Sequence, residues 1–149
     1  MANGAEEPVF VDSNILIYAS ISTSQLHLSC KRTINELVAN GCELWVSRQV
    51  IREFLSVMTR DDYYLASMPR SKVLALAAEF RRFFRLAEES EAVTDRLLQI
   101  LNDFKVSGKR VHDANIVATM LVCGVRRLVT SNARDFAPFA ELIDLIGVS

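Results

Sequence analysis

The chain has 149 residues, half of them hydrophobic and 23% charged, with a formal net charge of −1. That length suits one domain with one core, and the composition is too apolar for a disordered chain. The near-neutral balance excludes a protein that holds nucleic acid by global positive charge, so phosphate contacts must come from local basic clusters or a bound cation.

Residues 1–7 read as a loose tail. Val9-Phe10-Val11 is a continuous apolar run ending at Asp12, and it predicts a buried strand. A short helix is expected over 13–20 and a longer one over 24–40, closed by Gly41. Residues 43–46 form the second expected strand, and Ser47 is a good N-cap for a helix reaching about Arg60. A polar and aromatic loop covers 61–69, and Ser71 opens an Ala- and Leu-rich helix to about Arg82. Residues 83–87 either continue that helix or form a short third strand. A helix over 89–104, a turn at 107–109 and a strongly apolar helix over 110–123, ended by Gly124, come next. Strands are expected at 127–130 and 142–146, with a loop between them.

Strands alternating with helices predict a single α/β domain over 1–149: a three-layer α/β/α sandwich around a parallel sheet of four or five strands, with right-handed crossovers. In such sheets ligands collect beyond the carboxyl ends of the strands. The three cysteines, Cys30, Cys42 and Cys123, are widely spaced and form no CxxC, so they read as buried thiols of a reducing compartment rather than a zinc site. The N-terminal stretch shows no signal-peptide pattern, and no apolar run approaches the ~20 residues needed to span a membrane. A cytoplasmic protein is the expectation.

The candidate chemistry lies in carboxylates. Asp12 ends the first strand and therefore projects at the carboxyl edge of the sheet; a helix cap is its structural alternative. At about 100° per residue, Ile116, Val117, Met120 and Leu121 all fall within about 80° of Asp113, which puts that acid in the middle of an apolar face. His112, Asn115 and Thr119 take the other side. A carboxylate aimed at a core costs several kcal/mol unless a cation or donors meet it. A first-turn acid complementing the helix dipole is the alternative there. Glu53 sits at the edge of the apolar arc of its helix, able to reach the rim of the sheet or simply to pair with a neighbouring arginine. The loop after the 127–130 strand offers Asn132 and Asp135, with loop and cap chemistry as the alternative. Converging carboxylates repel one another unless a cation neutralises them, and oxygen ligands suit Mg²⁺ or Mn²⁺. Such ions can activate a water against a phosphodiester.

Four segments in this order, VFVDSNILIYA, VIREF, VHDANIVATM and LVTSNARDF, resemble the PIN-domain nucleases, and most of all the VapC-like toxins of bacterial toxin–antitoxin modules. The resemblance spans essentially the whole chain. It implies a parallel α/β/α sandwich and Mg²⁺- or Mn²⁺-dependent endonucleolytic cleavage of RNA. Asp12, Glu53 and Asp113 match the three acidic metal-site residues, and Asn14 matches the polar partner in D-x-N. Thr130 matches the polar residue closing the fourth strand. Asn132 occupies a variable Asp/Asn slot, and Asp135 is the acid of the following Asp-Phe pair; either could serve as the fourth site residue. The implied reaction is in-line attack by a metal-activated water, leaving 5′-phosphate and 3′-hydroxyl ends. No cysteine or histidine nucleophile is needed, and neither His27 nor His112 is expected to be catalytic.

RNA needs positive charge near that acidic pocket. Arg48 and Arg52 beside Glu53, then Lys105, Lys109 and Arg110 before Asp113, are candidates, with Arg81, Arg82 and Arg85 as a further cluster. The resemblance also implies a cognate antitoxin that blocks the acidic site, and a homodimer. Tyr63, Tyr64, Phe80, Phe83 and Phe84 read as core or as a partner groove. Two alternatives stay open: a PIN-fold binding module without activity, and an aspartyl-phosphate phosphotransfer domain. The second needs a lysine near a late strand end, and no lysine follows Lys109.

Overall fold

The computed structural model describes residues 7–61 and 68–149. The expected tail lies outside the described residues except for Glu7, whose carbonyl oxygen accepts from the Arg127 guanidinium at 2.6 Å. Tyr63 and Tyr64 also lie outside them.

Five strands form one parallel sheet: β1 (Val9–Val11), β2 (Leu44–Ser47), β3 (Arg85–Ala87), β4 (Arg127–Thr130) and β5 (Asp144–Gly147). Their spatial order is β3-β2-β1-β4-β5. Val9 is in register with Leu44 on one side and with Arg127 on the other, so β1 is the central strand. Val9, Phe10 and Val11 are fully buried, as expected of a strand covered on both faces. The helices are α1 (Ser13–Ser20), α2 (His27–Ala39), α3 (Arg48–Met58), α4 (Arg70–Phe83), α5 (Glu91–Asp103), α6 (Arg110–Val122) and α7 (Ala133–Phe136).

The chain moves outward from β1 to β2 to β3, then crosses back to β4 and on to β5. With right-handed crossovers, reversing direction moves the connecting helices to the other face. The packing follows that rule. Helix α1 packs on α2 and α3, and α3 packs on α4, whereas α5 packs on α6 and α6 on α7. The result is the three-layer sandwich. The reversal falls between β1 and β4, and the carboxyl ends of those two strands flank the switch-point crevice where such folds bind ligands. Asp12 follows one of these ends, and Thr130 closes the other.

Local chemistry accounts for several element ends. Ser47 caps α3 by accepting from the Val50 N–H at 3.2 Å. Gly41 (φ +81°) ends α2 with Gly41 N–H to Val38 O and Cys42 N–H to Leu37 O, both at 3.0 Å. Gly124 (φ +76°) ends α6 in the same way, with Val125 N–H on Met120 O at 2.9 Å. Both are left-handed terminations that satisfy the last carbonyls.

Several boundaries differ from expectation. Helix α2 begins at His27 rather than near Ser24, because the Ser24 hydroxyl accepts from the Leu26 N–H at 3.2 Å and holds a turn. The segment after α4 resolves as strand: Phe84 leaves the helix extended and β3 pairs with β2. The last strand lies at Asp144–Gly147, further along than 142–146. The expected loop after β4 holds a short helix, α7, followed by a 3-10 turn at Ala137–Phe139. Thr119, assigned to the polar side of its helix, is fully buried, because α6 is enclosed on more than one face.

Candidate active site

Asp12 is 5% exposed and begins α1 as its N-cap, with Oδ1 accepting from the Ser13 N–H at 2.8 Å. Capping therefore accounts for one oxygen only. Oδ2 accepts from the Thr130 hydroxyl at 2.8 Å and from Asn14 Nδ2 at 3.0 Å. Thr130 is fully buried; its Oγ1 also accepts from Asn14 Nδ2 at 3.3 Å and from the Asn132 N–H at 3.0 Å. Asn14 completes the circuit by accepting from the Ser131 N–H on Oδ1 at 3.0 Å. The two strand ends are thus stitched together around one carboxylate. Asn132 enters this circuit through its backbone; its side chain is exposed and makes no hydrogen bond among the described residues.

Glu53 is carried by α3 to the same edge. Its Oε2 accepts from the Ser13 hydroxyl at 2.9 Å and its Oε1 from Gln49 Nε2 at 3.0 Å. It does not pair with the neighbouring arginines. Arg48 makes a two-pronged contact with Glu88, at 2.8 and 3.0 Å, and Arg52 reaches Glu89 at 3.5 Å. Gln49, itself buried, also donates to the His112 carbonyl at 2.9 Å and accepts from Asn115 Nδ2 at 2.7 Å. Ser13, Gln49 and Asn115 were not singled out from the sequence. The signal was present for one of them: Gln49 precedes Glu53 by four residues, which places the two on one helix face.

Asp113 lies in the first turn of α6 and is half-buried at the rim. Among the described residues no hydrogen bond reaches its carboxylate. Burial pushes its pKa up to about 6, helped by repulsion from Asp12, Asp135 and Glu53, while Arg110 pulls the other way. Asp12 is likewise pushed up to about 6. There burial is the main cause and Glu53 adds repulsion, against the donors Thr130, Ser13 and Asn14. Asp135 is exposed on α7, and Arg110 donates to its backbone oxygen at 2.9 Å. The fold therefore brings all four acids into electrostatic contact, with Asp135 acting on Asp113. As they stand, no three His, Cys, Asp or Glu side chains among the described residues are grouped to hold a metal ion. The donor set is nonetheless that of a hard divalent cation: carboxylate oxygens, on two groups that resist ionisation chiefly because burial strips them of solvent, with neighbouring acids adding repulsion.

The PIN domain family model matches residues 9–142. The chain belongs to the PIN-domain family. No curated protein matches it by sequence. Among solved structures, this PIN domain is similar to a chain of VapBC2 from Rickettsia felis, solved bound to a promoter DNA fragment. The TM-score is 0.67 and the identity 16%, over 95% of this chain and 98% of the other. It is also similar to a chain of VapBC-1 from nontypeable Haemophilus influenzae, with TM-score 0.66 and 16% identity over 93% and 96% of the two chains. Mycobacterium tuberculosis VapC20, a sarcin–ricin loop cleaving toxin, matches with TM-score 0.61 and 18% identity over 80% and 86%. At these identities the likeness is one of fold.

The basic candidates divide in this PIN domain. Arg48 and Arg52 are engaged by glutamates, and Arg85 pairs with Glu43 at 3.3 Å while lying over the Trp45 ring. Arg110 stands beside the acids; Lys105 and Lys109 are exposed on the approach to α6. Arg81 and Arg82 are exposed at the end of α4, away from the acidic edge. Phe80, Phe83 and Phe84 divide as well: Phe84 is buried and Phe80 packs edge-on against Phe54 with centroids 4.8 Å apart. Phe83 is 60% exposed. Together with Leu16, Ala19 and Ile34 these rings line a groove of about 230 Å³ between α1, α2 and α4. Cys30 and Cys42 are buried thiols, as expected, while Cys123 is partly exposed. Among the described residues no helix is long and apolar enough to cross a membrane.

Proposed function

We propose that the protein is a Mg²⁺- or Mn²⁺-dependent endoribonuclease and the toxin of a toxin–antitoxin pair. The observation that carries this reading is the set of acids at the switch point, where the pKa values of Asp12 and Asp113 are both pushed up to about 6 by burial, with repulsion from neighbouring acids added. Asp12, Glu53 and Asp113 would hold the cation. Asp135, whose charge reaches Asp113, is a better fourth acid than Asn132, whose side chain stays outside the network. When bound, a divalent cation supplies the positive charge that keeps these carboxylates ionised, and it activates a water against phosphorus.

The chain's own residues do the rest. Thr130 and Asn14 fix the Asp12 carboxylate by occupying Oδ2, and the Ser13 N–H takes one lone pair of Oδ1, leaving a single open lone pair on that oxygen. Ser13 and Gln49 hold Glu53 by one oxygen each. Arg110, anchored on the Asp135 carbonyl, keeps further N–H groups for a phosphate oxygen. The groove between α1, α2 and α4 supports an apolar antitoxin segment as partner, and a homodimer and a cytoplasmic location belong to the same reading.

The test is incubation of antitoxin-free protein with total RNA and Mg²⁺ or Mn²⁺, followed by mapping of cleavage ends. Cleavage leaving 5′-phosphates, lost in EDTA and in Asp113→Ala, is the expected outcome. Absence of cleavage by folded wild-type protein would sink the assignment. A binding module without activity is the second reading, favoured by the lack of a ready-grouped metal cage among the described residues, and that null result would select it. The phosphotransfer reading has no support at the late strand ends, where β4 closes on Thr130 and β5 on Gly147 rather than on a lysine.

A further inference from the structure

Gln49 is a long amide buried at the junction of α3 and α6, 5% exposed. An apolar side chain of similar length would fill that space without the cost of desolvating an amide. Its groups are all engaged. One Nε2–H goes to Glu53 Oε1 at 3.0 Å and the other to the His112 carbonyl at 2.9 Å. Its Oε1 accepts from Asn115 Nδ2 at 2.7 Å. Turned over, the amide would set its oxygen against a carboxylate and a carbonyl, and its NH₂ against another NH₂. The Glu53 carboxylate and the His112 carbonyl can only accept, so they fix the donor end of the amide, and Asn115 holds the oxygen end with its NH₂. His112 immediately precedes Asp113 in the first turn of α6. One side chain thus ties an acid on α3 to the backbone next to an acid on α6.

We infer that Gln49 is a positioning residue: a buried strut, held at its oxygen end by Asn115, that sets the spacing of Glu53 and Asp113 for a divalent cation. The inference rests on the nuclease reading of the same site. A polar partner that orients a metal-binding side chain typically contributes 10–100-fold in metal affinity or activity. A pin that only joins two helices contributes to the thermal midpoint and nothing to metal affinity. Those two roles predict different measurements.

The experiment titrates Mn²⁺ into RNA-free protein by electron paramagnetic resonance, for wild type, Gln49→Met and Asn115→Ala. Thermal midpoints and the kcat and KM of RNA cleavage are measured on the same samples. Methionine keeps the length and removes all three hydrogen bonds. The expected result is Mn²⁺ affinity weaker by about 10–100-fold in Gln49→Met, a smaller loss in Asn115→Ala, lowered kcat, and KM for RNA within about twofold of wild type. Folded Gln49→Met with wild-type Mn²⁺ affinity overturns the inference, even if its midpoint drops. If Gln49→Met does not fold, Asn115→Ala decides by the same titration. Wild type that binds no Mn²⁺ and cuts no RNA overturns the nuclease reading and this inference together; wild type that does both while the variants match it overturns this inference alone.

Discussion

Replacing Asp113 by asparagine should stabilise the metal-free protein at neutral pH while destroying its proposed activity. The ionised carboxylate sits half-buried among three other acids with no hydrogen-bond donor of its own among the described residues, and its pKa rises from 3.8 to about 6. A rise of that size corresponds to about 3 kcal/mol against the charged form. Solvent at the rim screens part of it, so about 1–2 kcal/mol is the working figure. The sign follows from proton binding. The folded state holds this proton more tightly than the unfolded chain, so the stabilisation is full below pH 3.8 and is lost as pH rises through 6. Asparagine cannot ionise and escapes that loss. Urea unfolding in EDTA at pH 4.5 and pH 7.5 measures it: the variant should exceed wild type by about 1–2 kcal/mol at pH 7.5, with a smaller difference at pH 4.5. Excess Mn²⁺ should reverse the order at pH 7.5, because only wild type gains ligand-linked stability. A variant equal to or weaker than wild type in EDTA at pH 7.5 would refute the electrostatic reasoning.

Thr130→Val keeps the shape but removes the donor to Asp12 Oδ2 and the acceptor for Asn14 and the Asn132 N–H, so it should cost about 1–3 kcal/mol by chemical denaturation and slow RNA cleavage; unchanged stability would mean the circuit carries no energy. Ser47→Ala removes the α3 cap and should cost about 1 kcal/mol in the same assay, with no effect on Mn²⁺ binding. Phe83→Asp places a charge in the apolar groove and should weaken cognate antitoxin binding by at least about tenfold, roughly the effect of losing one exposed aromatic anchor, by calorimetry; undiminished affinity would move the partner elsewhere.

The elements whose ends are written in local chemistry were legible without a structure. Val9-Phe10-Val11 read as buried strand, Ser47 marked a helix start, and Gly41 and Gly124 marked helix stops, since each acts through its immediate neighbours. Residues 83–87 could not be settled that way, because β3 exists through its pairing with β2 on the sheet edge. The acids divide along the same line. Asp12 announced itself by ending a strand and Asp113 by lying among apolar residues, both local patterns. What holds them was set by contacts across the chain: Thr130 on Asp12 spans 118 positions, Ser13 on Glu53 spans 40, and Gln49 on the His112 carbonyl spans 63. By itself the sequence determined the alternation of strand and helix, the family and the acids of the candidate site, because periodicity and residue chemistry are properties of short segments. Only the tertiary structure decided which arginines are engaged by glutamates, that Asn132 joins through its backbone, and that a buried glutamine ties Glu53 to the backbone beside Asp113, because a side chain's partner depends on which surfaces folding brings against it.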